Sequence, residues 1–122
     1  MPLTSFTAVR DGASFAEAHQ QQRHMLLVYT SADCVMCKRV YPALEGMRVQ
    51  DQFSRVVFAV CSVDGAVGEA LLAELHSIEV LPTCILFQGA SEIDRVVGCT
   101  HKRPGKPIYD MLSKALLRAP SD

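Results

Sequence analysis

Met25-Leu26-Leu27-Val28-Tyr29 and Val56-Val57-Phe58-Ala59-Val60-Cys61 are continuous apolar runs with no polar residue alternating through them. A strand with one wet face alternates polar and apolar side chains, so unbroken runs of this length belong to strands covered on both faces. Two such strands need helices above and below one sheet, which confines the chain to an α/β architecture. The segment between them supplies one of those helices: Val35, Met36, Val40, Leu44 and Met47 recur at helical spacing as far as about Arg48. Pro42 lies inside this segment and predicts a kink, because proline removes one hydrogen bond of the helix.

The flanking sequence extends the pattern. Phe6 to Arg10 reads as a short strand, and Asp11-Gly12 as a turn. Ser14 with Glu17 three residues later has the form of a capping box, predicting a helix from about Ser14 to Arg23. Ala66 to His76 is a further helix, with Leu71, Leu72 and Leu75 as its periodic apolar residues. Thr83–Phe87 and Ile93–Val97 read as strands joined through Gln88-Gly89-Ala90-Ser91, short enough for a hairpin. Pro107 to Leu117 closes the chain as an amphipathic helix, and Ala119 to Asp122 reads as a frayed tail. The order β-α-β-α-β-α-β-β-α gives parallel crossovers first and an antiparallel hairpin last, with helices on both faces of the sheet.

At 122 residues the chain has room for one domain, residues 1–122, and not for two. No apolar span approaches the length that crosses a bilayer as a helix. Met1-Pro2-Leu3-Thr4-Ser5 lacks the basic and apolar regions of a secretory leader, so a cytoplasmic, reducing setting is expected. The net charge of −1 argues against a nucleic-acid partner. Its one visible basic cluster, His101-Lys102-Arg103 with Lys106, reads as a solvated loop. The sharper alternative places that loop beside a reactive site, attracting an anionic partner.

Five cysteines stand at positions 34, 37, 61, 84 and 99. An odd count in a reducing setting is not a disulfide framework; it is one short pair, Cys34-Val35-Met36-Cys37, and three singletons. At a helix start, Cys34 would sit where free N–H groups and the positive end of the dipole favour a thiolate. Lowering a thiol from about 8.5 to about 7 raises its thiolate fraction at neutral pH from about 3% to about half. Cys37, three residues on, lies on the same face within bridging reach. The pair can therefore cycle between dithiol and disulfide, with Cys34 as attacking nucleophile and Cys37 as resolving thiol. A mononuclear zinc site would need two more ligands, and neither a second CxxC nor a matching histidine pattern exists. No metal is expected.

From Cys34-Val35-Met36-Cys37-Lys38, through Pro42, Val63-Asp64 and Val80-Leu81-Pro82-Thr83, to Val97-Gly98, the chain resembles the thioredoxin family. The resemblance spans nearly the whole sequence and implies a thioredoxin-like fold, a central mixed sheet of about five strands flanked by about four helices. It implies a thiol-disulfide oxidoreductase that reduces protein disulfides, is re-reduced by an upstream thiol reductase and needs no bound cofactor. It also implies that Pro82 is cis, that the Leu81 backbone receives an extended substrate strand, and that Gly98 and Cys99 flank that groove.

The sequence departs from the family at positions that modulate the site. Asp33 stands where a tryptophan is usual; its carboxylate disfavours the Cys34 thiolate and is placed to cap the helix instead. Val35-Met36 replaces the commoner Gly-Pro, which alters the reduction potential. Val28 occupies the place of a buried acid and Val60 that of its lysine partner. The proton of Cys37 must then leave by another route, for which Asp33 and His101 are the candidates. These losses open a second reading, a thioredoxin-fold interaction module with weak or no redox turnover. A third is an iron–sulfur cluster shared between two copies. Cys61 and Cys84 read as small core hydrophobes, as Tyr29 and Tyr41 read as core or groove-edge aromatics. Cys99 reads as an inert loop cysteine, with a regulatory, dimer-forming or third redox thiol as the alternative.

Overall fold

The computed structural model describes residues 3–118, so the tail expected to fray lies outside the described residues. The strands are β1 (Thr7–Ala8), β2 (His24–Thr30), β3 (Val56–Ser62), β4 (Thr83–Gln88) and β5 (Ser91–Val97). The helices are α1 (Gly12–Gln20), α2 (Val35–Arg48), α3 (Val67–Leu75) and α4 (Lys106–Arg118). A short 3-10 turn covers Asp51–Phe53. The strands form one mixed sheet in the order β1-β3-β2-β4-β5. β2 runs parallel to β3 and antiparallel to β4, and β4 pairs antiparallel with β5.

The apolar run at Met25 becomes the middle strand, and every residue of β2 is buried. Its pleat sends alternate side chains to opposite layers. Leu26 and Val28 pack with Leu44 and Met47 of α2 and Met111 and Leu112 of α4. Met25, Leu27 and Tyr29 pack with Ala18 of α1 and Leu72 and Ala73 of α3. The same alternation separates the singleton cysteines: Cys84 faces the α2/α4 layer and Cys61 the α1/α3 layer.

Several local expectations change. α1 begins at Gly12 because Asp11, not Ser14, is its cap: Ser14 N–H donates to Asp11 Oδ1 (2.8 Å), and Asp11 N–H donates back to Ser14 Oγ (3.0 Å). This reciprocal pair is a better cap than Ser14 with Glu17, and the helix stops at Gln20 rather than Arg23. β1 shrinks to two residues on the sheet edge. β5 starts at Ser91 rather than Ile93, because Gly89 at φ +61 lets Gly89-Ala90 alone make the turn. A register shift at Leu86/Phe87 follows, and Ile93 is the unpaired residue. In α3 only one of the expected leucines is inside. Leu72 is buried with Ala73, whereas Leu71 and Leu75 face solvent at 59% and 71% exposure. α2 runs as one element through Pro42.

Candidate active site

The register fixes where the chemistry-bearing segments meet. Thr30 lies opposite Ser62, Tyr29 opposite Thr83, and Thr83 opposite Val97. The connection into α2, the turn after β3, the segment before β4 and the segment after β5 therefore emerge at one end of the strands. That end holds Cys34 and Cys37, Asp64, Leu81 and Pro82, and Gly98.

Cys34 and Cys37 are joined as a disulfide, with Cα atoms 5.2 Å apart. Cys34 is itself the cap of α2: its backbone is extended and its Sγ accepts the Cys37 N–H at 3.1 Å. The pair is asymmetric. Cys37 is fully buried in the α2/α4 core, and Cys34 is half-buried at the boundary. Asp33 is exposed and does not cap the helix, because the Cys34 sulfur already takes that N–H.

Beside the pair, apolar side chains are exposed along with Asp33 and Lys38. Val35 and Met36 point outward between the cysteines, and Val80 and Val97 are exposed at the ends of the neighbouring segments. The Leu81–Pro82 peptide bond is cis. The turn before it is held by Thr83 Oγ1 donating to Val80 O (2.6 Å), and Gly98 N–H donates to Pro82 O (2.7 Å). Gly98 adopts φ +78, a conformation that favours glycine. Among the described residues, the N–H and C=O of Leu81 take no hydrogen bond, although the residue packs against both cores.

Cys99 is placed differently from the sequence expectation. Its side chain is 5% exposed and turns into the core that also holds Cys37 and Cys84, so it does not border the groove. Its carbonyl accepts from the Arg39 guanidinium (3.3 Å), which ties the segment after β5 to α2. Burial pushes the Cys61 and Cys84 thiols up to about 12, which leaves both protonated at neutral pH. His101 is exposed, with its Nδ1 against the backbone of Arg103 (2.9 Å to N), so its ring serves the loop's own turn. Pro104 and Gly105 carry this basic loop over Ala43 and Met47, about two turns down α2 from Cys37.

Val28 faces Val60 on one side and Cys84 on the other, inside the core that contains Cys37. Two features escaped the sequence reading. The Tyr41 phenol, one helical turn beyond Cys37, shares a short buried hydrogen bond with the Thr30 hydroxyl. Asp64 Oδ2 accepts the Ala32 N–H (3.0 Å) and pins the loop before Cys34. The Ser62 hydroxyl, and then that N–H, hold the Asp64 carboxyl below its usual range. A polar residue ending a buried run, four residues before the first cysteine, was the available signal for Thr30.

The family model described as Thioredoxin matches residues 6–110. A thioredoxin of Chlamydia caviae is 31% identical over 78 residues, which cover 64% of this chain and 72% of that protein. A bifunctional thioredoxin reductase/thioredoxin of Mycobacterium leprae is 30% identical over 94 residues; the match covers 77% of this chain and only 20% of that protein's length. Among solved structures, Plasmodium falciparum thioredoxin superposes with a TM-score of 0.74 at 21% identity, covering 88% of this chain and 97% of that one. Oxidized mitochondrial thioredoxin 3 of Saccharomyces cerevisiae gives 0.74 at 20% identity, covering 98% and 100%. The structural likeness is one of fold; the sequence matches go further, and the chain belongs to the thioredoxin family.

Proposed function

We propose that this chain is a thiol-disulfide oxidoreductase that reduces protein disulfides through Cys34 and Cys37. The observation that carries the reading is the asymmetry of the pair: one sulfur at the surface on a helix N-terminus, its partner wholly buried one turn behind. In the dithiol form the Cys34 thiolate attacks a substrate disulfide, forming a mixed disulfide and expelling one substrate thiolate. Cys37 then loses its proton and attacks the Cys34 sulfur, expelling the second substrate thiolate and leaving the Cys34–Cys37 disulfide. Two electrons have passed to the substrate, and an upstream thiol reductase must return them. The relative that is both thioredoxin reductase and thioredoxin supports that partnership.

Leu81 offers its free N–H and C=O to an extended substrate segment, with Pro82 and Gly98 shaping the groove and Val35, Met36, Val80 and Val97 supplying apolar contact. A reducing compartment such as the cytoplasm fits this role; among the described residues no helix is long and apolar enough to cross a membrane.

Reduction of insulin disulfides by the wild type and by Cys34→Ser tests the reading. Turnover by the wild type and none by the variant is expected. Turnover indistinguishable from the variant would overturn it and leave a groove that binds without reducing. Trapping with Cys37→Ser, followed by mass spectrometry of the mixed disulfides, identifies the substrates.

A further inference from the structure

The outward face of α3 is apolar where a surface helix is polar. Val67, Leu71 and Leu75 stand at i, i+4 and i+8 with 75%, 59% and 71% of their surface exposed. Ala70 and Glu74 complete that face, so Glu74 is its only charge. The stretch between Arg55 and Arg95 has six carboxylates and no lysine or arginine, and the one cation at the end of α3 that it meets, Arg95, is held by Glu92 and the His76 carbonyl. Glu69 caps α3 and Glu92 pairs with Arg95, whereas the Glu74 and Glu79 side chains make no hydrogen bond or ion pair among the described residues.

The opposite face carries the complement. A groove of about 760 Å³ lies between α2 and α4, floored by Ala43, Gly46 and Met47 and rimmed by Lys102, Arg103 and Lys106. Its floor is open: a Cβ on Gly46 would meet no atom within 4 Å. Its shape depends on Gly105, where a Cβ would come within 2.4 Å of Ala43 Cβ, so the loop can sit tight against α2 only with glycine there. Lys106 is shared with Asp110 (2.8 Å), but the Lys102 and Arg103 side chains have no partner among the described residues.

The ridge packs on one side of the sheet and the groove on the other, so they cannot meet within one molecule. Between copies, ridge on ridge would bring two Glu74 carboxylates onto one apolar face, and groove on groove would set Lys102 and Arg103 against like charges. Ridge in groove brings unlike charges together around an apolar centre. We propose that a second copy of this chain covers α3, its α2/α4 groove receiving Leu71 and Leu75 in a head-to-tail contact. Such a contact is heterologous and does not close on itself. Three apolar side chains bury less than the roughly 1,200 Å² of a stable complex, so the association is transient and weakened by salt.

Sedimentation equilibrium of the full chain up to about 1 mM, at about 0.05 M and 0.5 M sodium chloride, tests this. The average mass should climb with concentration past the dimer at low salt, with association weakened at least about tenfold at high salt. Leu71→Ser/Leu75→Ser loses the ridge and Lys102→Glu/Arg103→Glu loses the rim, so each alone should stay monomeric. Mixed in equal amounts they should form a dimer and stop there, because one intact ridge meets one intact groove. All four side chains are on the surface, and circular dichroism of each variant checks its fold. A wild type that stays monomeric, a plateau at the dimer for the wild type, or a mixture that stays monomeric would each overturn the proposal.

Discussion

The sulfur of Cys34 lies 3.1 Å from the Cys37 backbone nitrogen, so the residue proposed to attack substrate also caps the helix behind it. The two roles separate by substitution. Cys34→Ser and Cys34→Ala both remove the attacking thiol, but serine keeps an acceptor for the N–H of Cys37. Cys34→Ala should therefore be less stable than Cys34→Ser by about 0.5–2 kcal/mol, with insulin reduction absent in both. Urea unfolding under reducing conditions measures the difference, and equal midpoints would remove Cys34 as the cap.

Thr30 and Tyr41 place a hydroxyl pair in an otherwise apolar layer beside Cys37. Removing one member strands the other in the core. Tyr41→Phe should cost about 1–3 kcal/mol, because the Thr30 hydroxyl loses its partner. Thr30→Val/Tyr41→Phe should recover most of that loss, since an apolar pair leaves nothing unsatisfied. Strictly additive losses in the double variant would show that the two hydroxyls do not act as a pair.

Tyr29 Oη lies 2.6 Å from His76 Nδ1, and the Arg95 guanidinium holds the His76 carbonyl (2.9 Å) where α3 ends. Burial is the main reason His76 sits below the ordinary imidazole range, and burial lowers His24 in the same way. A folded-state pKa below the unfolded one means that the unfolded chain binds the proton more tightly. The stability of the neutral rings is therefore complete above about pH 6.5 and is lost as the pH falls through that value towards the lowered folded ones. Urea midpoints should fall from about pH 7.5 to about pH 5.5, and less steeply in His76→Gln. The same slope in that variant would exclude His76 as a source.

The sheet was legible in the sequence because β2 and β3 are buried on both faces and show it as unbroken apolar runs. The cysteine pair was legible because its chemistry lies in its spacing. What failed shares a physical cause: periodicity reports that a residue is apolar, not that it is covered. Leu71, Leu72 and Leu75 look equivalent in the sequence, yet α3 buries only the second. Cys99 follows Gly98 into the groove by sequence, but two residues past the end of β5 its side chain turns inward. Asp33 lost the cap to a sulfur, a competition that residue preferences for caps do not register. The Thr30–Tyr41 pair joins residues on different elements and has no local signature.

Val28 is fully buried between Val60 and Cys84, in the core that receives Cys37. An aspartate there would face Val60 and Cys84 across the ladders, neither of which is a cation. Val28→Asp should cost about 3 kcal/mol or more at neutral pH, the penalty of a carboxylate in an apolar site. Burial would raise its pKa, so the unfolded chain would release the proton at a lower pH than the folded one. The loss should therefore shrink as the pH falls and the folded carboxyl stays protonated. Val28→Asp/Val60→Lys should recover part of the stability at neutral pH by pairing the charge. The released proton gives a second readout: if a buried acid assists Cys37, the mixed disulfide with insulin should resolve faster in the double variant than in the wild type. Faster resolution would show that proton removal from Cys37 limits the native chain; an unchanged rate would show that another step does.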